Sequence, residues 1–134
     1  MTNFQSNSNN LIIKPKDNYD LEERTAKFAE NVIALVKTIK ITPVNTRIIS
    51  QLVGAAGSIG ANYCEATEAE SRKDFVHKIG ICKKEIKETR HWLRLLAAVN
   101  PEKEKEIKVL WKEVQELLLI FSKISRSAIK GIEN

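Results

Sequence analysis

The chain has 134 residues, 43% hydrophobic, 29% charged and 6% aromatic, and its 22 Lys/Arg against 17 Asp/Glu leave a formal charge of +5. That length suits one domain that buries a core without metal or disulfide staples, and five Gly and three Pro among ample Leu, Ile and Val exclude a collagenous or wholly disordered chain. Two cysteines, Cys64 and Cys82, are too few for a disulfide framework, no apolar run approaches the ~20 residues of a membrane span, and the N-terminus lacks a secretory pattern, so a reduced, cytoplasmic protein is expected.

Residues 1–19 read as a polar tail. Asn and Ser dominate Asn3 to Asn10, and Leu11-Ile12-Ile13 is the sole apolar patch before Pro15. From Asp20 the text turns helical. Asp20 with Glu23 makes a capping-box-like start, and Leu21, Phe28, Val32, Leu35 and Ile39 recur at three- and four-residue spacing, predicting a helix over 21–40. Thr42 as N-cap with Pro43 at the first helical position opens a second helix over 43–69, with Ile48, Leu52, Ala55, Ile59, Asn62 and Ala66 inward. Ser71 with Asp74 opens a third over 72–98, whose stripe is Phe75, Ile79, Cys82, Ile86, Thr89, Leu93 and Leu96. Asn100-Pro101 repeats the cap-plus-proline device before a fourth over 101–129, with Ile107, Leu110, Val114, Leu117, Phe121, Ile124 and Ala128 inward. Four long helices joined by short turns predict an all-α, up-down-up-down antiparallel four-helix bundle spanning residues 20–134.

Two features exceed the needs of a single bundle. Gly54, Gly57 and Gly60 sit inside the second helix, each costing ~1 kcal/mol relative to Ala, which predicts a helix crowded closely on more than one side. Ile49, Val53, Tyr63, Ile81, Trp92, Trp111, Leu118, Leu119 and Ile120 also lie outside the inward stripes, and so predict a second buried surface, most simply between subunits.

No reaction is legible in the chain. Glu88-Thr-Arg-His91 and Asp74-Phe-Val-His77 have the Glu-x-x-His form of di-iron bundles, but both lie on one helix, two heptads apart, and face away from its core stripe. Cys64 and Cys82 lack zinc spacing and a triad-like His. Neither a catalytic residue nor a metal or cofactor site is therefore expected.

Charge is the informative feature. Residues 71–99 hold eight Lys/Arg against three Asp/Glu, a net +5 equal to that of the whole chain. Lys83, Lys87, Arg90 and Arg94 follow i, i+4, i+7, i+11, with Arg72 on the same line and Lys84 on the outward line of His77 and His91. Such a row can track phosphates. No aromatic interleaves it, so base stacking lacks an evident instrument. The competing reading is a solvated or intersubunit-paired face, with Glu65, Glu68, Glu85 and Glu88 as partners.

The run Ser58-Ile59-Gly60-Ala61-Asn62-Tyr63-Cys64-Glu65-Ala66 resembles the Ser-Ile-x-x-Asn-x-x-Glu segment of a bacterial four-helix-bundle family, also called the ribosomal-RNA intervening-sequence protein family. Gln51 and Ala55-Ala56 fit upstream, and Ser71-Arg72-Lys73-Asp74-Phe75 and Lys84-Glu85-Ile86-Lys87-Glu88-Thr89 fit downstream. The resemblance implies a bundle that assembles as a homopentamer. It also relates the chain to retroelement accessory proteins that bind nucleic acid through a basic pentamer surface. Gly54 and Cys82-Lys83 depart from the pattern of many relatives, so a retroelement role is not carried over. The expectation is a non-enzymatic homo-oligomer binding RNA or DNA through Arg72, Lys83, Lys84, Lys87, Arg90 and Arg94; the alternative is an assembly module meeting an acidic protein.

Overall fold

The structure, a computed structural model, describes residues 19–133. It contains α1 (Tyr19–Val36), α2 (Thr46–Thr67), α3 (Arg72–Val99) and α4 (Glu104–Glu133), the last preceded by a 3-10 turn at Pro101–Lys103. The expectations for residues 1–18, including the Leu11-Ile12-Ile13 patch, lie outside the described residues. Tyr19 and Asp20 are already helical, so Asp20 belongs to α1 instead of preceding it as a cap.

Helix packing runs α1 to α2, α2 to α3 and α3 to α4, and closes more sparsely from α4 to α1. Short connections make each neighbour antiparallel and set α1 and α3 across the diagonal, the predicted up-down-up-down bundle. The α3 seam is buried from Ile79 through Cys82, Ile86, Thr89 and Leu93 to Leu96. Thr89 fits this apolar line because its hydroxyl donates back to the Glu85 carbonyl at 2.7 Å.

The inward face of α2 keeps Leu52, Ala55, Ile59 and Ala66 of the predicted stripe and extends to one side of it. Ile49, Ala56 and Tyr63, spaced by sevens, are buried, whereas Ile48 and Asn62 are half-buried. Tyr63 meets Phe121 of α4 edge-on, with ring centroids 5.7 Å apart. Gly60 faces α1: a Cβ there would lie 2.9 Å from Oγ1 of the buried Thr25, so glycine admits this approach. Gly54 and Gly57 differ. Both are exposed with nothing within 4 Å of a Cβ, so of the three glycines only Gly60 is crowded within the monomer.

Much of the surplus apolar set is also absorbed within the monomer. Ile49 and Tyr63 belong to the core, and Val53, Trp92, Trp111, Leu118 and Ile120 pack partly buried against it. Leu119 stays 71% exposed, alongside Val44 at 67% and Val109 at 68%.

Capping explains the helix ends. The regular part of α1 stops at Val36, short of residue 40, where Thr38 Oγ1 donates to the Leu35 carbonyl and the chain tightens into i→i−3 bonds. Thr42 and Asn45 then bond reciprocally, Asn45 N to Thr42 Oγ1 at 3.1 Å and Thr42 N to Asn45 Oδ1 at 2.8 Å. This is a capping box ahead of Thr46, with Asn in place of Glu or Gln. Ser71 Oγ accepts from Asp74 N at 3.0 Å, the cap read from the sequence. Asn100 does something else. Its side chain makes no cap bond; Oδ1 accepts from Asn45 Nδ2 at 3.1 Å, and Nδ2 donates to Glu102 at 2.8 Å.

Asn45 thereby joins two loops. It is 1% exposed, and its amide also donates to the Lys40 carbonyl at 3.0 Å. Removing it leaves the Thr42 amide, the Lys40 carbonyl and Asn100 without their partner. Asn45→Ala is expected to lower the unfolding free energy by about 2 kcal/mol in urea denaturation; a loss below about 0.5 kcal/mol would contradict the latch.

Candidate nucleic-acid interface

The two flanks of α3 face different neighbours. On one, Lys78 Nζ donates to Glu65 Oε1 of α2 at 2.7 Å, and the buried Cys82 thiol points to the Ile59 carbonyl at 3.6 Å. On the other, Arg90 Nη1 donates to Gln115 Oε1 of α4 at 2.8 Å. Lys83, Lys87 and Arg94 share Arg90's line by helical spacing, so the row runs along the edge where α3 meets α4.

The predicted cations fall into three places. Lys83, Lys84 and Lys87 share a shallow groove with Gly80, Glu88, His91 and Trp92. Arg94 lines a recess between the last turns of α3 and the first of α4, together with Lys108 and Trp111. Arg72 stands apart, its guanidinium over the end of α4, where a Cβ on Gly131 would lie 2.9 Å from Nη1. A cation there also meets the negative end of the α4 dipole.

Within α3, pairing separates the row from Lys78 and Lys84, though most other lysines and arginines of the described residues are likewise without an ion pair. Glu65 is taken by Lys78, and Glu88 lies 4.0 Å from Lys84. Among the described residues, none of Lys83, Lys87, Arg90 and Arg94 makes an ion pair, and Arg90's partner is neutral. By contrast, Arg24 of α1 clamps Glu113 of α4 with bonds of 2.7 and 2.9 Å and reaches Glu116 at 3.1 Å. The Glu113 hydrogen bond holds that guanidinium more firmly protonated than usual.

Sequence reasoning missed two components. Trp111 is on α4, 17 positions beyond Arg94 in the sequence, yet it lines the Arg94 recess; Trp92 likewise adjoins the lysine groove. Aromatics therefore do flank the cations, against the expectation. Lys108 joins the recess from the near-neutral fourth helix, and only its helical phase beside Trp111 hinted at this.

The remaining reactive groups are placed less suggestively. His77 and His91 are exposed, and among the described residues no group of three His, Cys, Asp or Glu is arranged to hold a metal ion. Burial pushes the Cys82 thiol up to about 12. Cys64 is exposed and donates to Glu22 Oε1 at 3.3 Å; partial desolvation, then the Glu22 bond and charge, raise its pKa as well. A raised pKa means less thiolate at a given pH. At pH 8, Cys64 should therefore react with a disulfide reagent more slowly than a free thiol, and faster in Glu22→Gln. Cys82 should react only on unfolding. Rapid reaction of both thiols in the folded protein would contradict these placements.

No helix among the described residues is long and apolar enough to cross a membrane. No curated protein matches the sequence. A crystal structure of a protein of unknown function from the S23 ribosomal protein family of Bacteroides thetaiotaomicron is similar in fold, with a TM-score of 0.68 and 29% identity, over 78% of this chain and 96% of that one. The family model of the 23S rRNA-intervening sequence proteins matches residues 17–123, nearly the whole described bundle, and the chain belongs to that family.

Proposed function

We propose that this chain is a non-enzymatic, homo-oligomeric cytoplasmic protein whose α3–α4 edge binds RNA or DNA without strong sequence preference. The observation that carries this reading is the uncompensated line of Lys83, Lys87, Arg90 and Arg94, with Lys84 beside it and Arg72 at the far end. A cation with a carboxylate partner must lose it to bind a phosphate. These four have none to lose, and each phosphate they neutralise releases counterions. Exposed Cys64, unpaired, suits a reducing compartment.

Nucleic-acid affinity should fall steeply with salt. Reversing Lys83, Lys87, Arg90 and Arg94 to Glu should abolish binding at moderate ionic strength. Unchanged affinity in that variant, or no binding at low salt, would defeat the proposal. Capture of an acidic protein that survives nuclease treatment would then favour the assembly-module alternative.

Oligomerisation has separate support. Two exposed interior glycines carry a helix-propensity cost of ~1 kcal/mol each with no contact inside the monomer that uses them. A second copy packed on this face of α2 would use them, and a pentamer would repeat the basic edge around its axis, strengthening its field. Light scattering should return an oligomer for the native chain and a folded monomer for Gly57→Leu. A monomer for the native chain at micromolar concentration would refute this part.

A further inference from the structure

The recess beside Arg94 has a composition that the cation row alone does not require. Its floor is apolar, made by the buried Leu93 and Ile107, and the half-buried Trp111 forms part of its wall. Arg94 and Lys108 supply positive charge at the rim, and Glu104 supplies one carboxylate. We infer that this recess takes a single unstacked nucleobase, and that the protein's ligand is therefore single-stranded nucleic acid; this rests on the proposed basic interface.

Three observations favour a base on a single strand. The indole offers a stacking surface next to cations, the combination that non-specific single-strand binders use. Lys83 to Arg94 spans about 16 Å of straight helix, with cations about 4–6 Å apart along it. An extended strand can follow that line, whereas a strand of duplex winds through about half a turn over the same distance and leaves it. Bases within a duplex are also stacked and paired, so none is free to enter. Glu104 then separates a base from an acidic peptide. A carboxylate at the rim repels another carboxylate, but accepts a hydrogen bond from the exocyclic amino group of cytosine, adenine or guanine.

The test compares three probes of equal length on the full chain by fluorescence anisotropy: an oligocytidylate strand, the same backbone without bases, and a duplex. RNA and DNA forms of the strand are run in parallel. The strand should bind about tenfold or more tightly than the abasic backbone, a difference absent in Trp111→Leu. Because Trp111 also packs on the core, Ala97→Leu, which fills the recess and keeps the indole, provides a second variant and should act alike. Native tryptophan emission should be quenched by the strand and not by the abasic probe.

Equal, salt-sensitive binding of strand, abasic backbone and duplex would overturn the base-binding recess while leaving the basic interface intact. Failure of all three probes to bind would remove both. Binding of an acidic aromatic peptide where oligonucleotides do not bind would also overturn it.

Discussion

The buried line of α3, from Ile79 to Leu96, is the constraint on which the rest of the molecule depends. It packs against α2 on one side and α4 on the other, and these are the two most extensive helix contacts in the bundle. Once that line is inward, the angular position of every other α3 residue is fixed. Lys78 must meet Glu65 on the α2 flank, and Arg90 must meet Gln115 on the α4 flank. The cations of the row owe their common direction to the packing of residues they do not touch. A one-residue rotation of α3 would bring charge toward the core and apolar side chains outward, which the cost of burying charge forbids.

Polar contacts close the bundle where apolar packing is thin. The α1–α4 contact is sparse, and there Arg24 grips Glu113 and Glu116 in a fork geometry that limits rotation as well as distance. At one end of the bundle, Asn45 and Asn100 tie the α1–α2 and α3–α4 loops together. Asn45 is buried without penalty because its amide is bonded on both sides, and among the described residues no buried side-chain nitrogen or oxygen lacks a partner.

Much of this architecture was legible in the sequence, for an identifiable reason. The α3 and α4 stripes alternate threes and fours without interruption, so a period of 3.6 assigns their faces directly; only Phe75 at the start of α3 and Ile124 of α4 are half-buried, and Ser125 takes the inward place beside the latter. The face of α2 was less legible because its small residues flatten the hydrophobic contrast. Ala55, Ala56, Gly57 and Gly60 give neighbouring lines nearly equal weight, and the approach of Thr25 to Gly60 comes from another helix. Asn100 read only as a cap and Asn45 drew no reading, because their pairing spans 55 positions. The basic line was visible as spacing, but its lack of ion pairs was not, since Glu65 and Glu88 lie close enough in sequence to serve and are oriented elsewhere. Trp111 and Lys108 became neighbours of Arg94 only through the antiparallel return of α4.

Packing and internal pairing do not explain the basic α3–α4 edge of this family member. Core burial accounts for the seam of α3, and ion pairs account for Lys78 and Arg24. Neither accounts for four aligned, unpaired cations ending at an apolar recess with a tryptophan. The most direct measurement is an NMR titration of the native chain with a short single strand, following backbone amide shifts. Perturbations should concentrate over residues 83–94 of α3 and 104–111 of α4 and fade as salt is raised. Perturbations confined to α1 and α2, or none at low salt, would contradict the proposed interface.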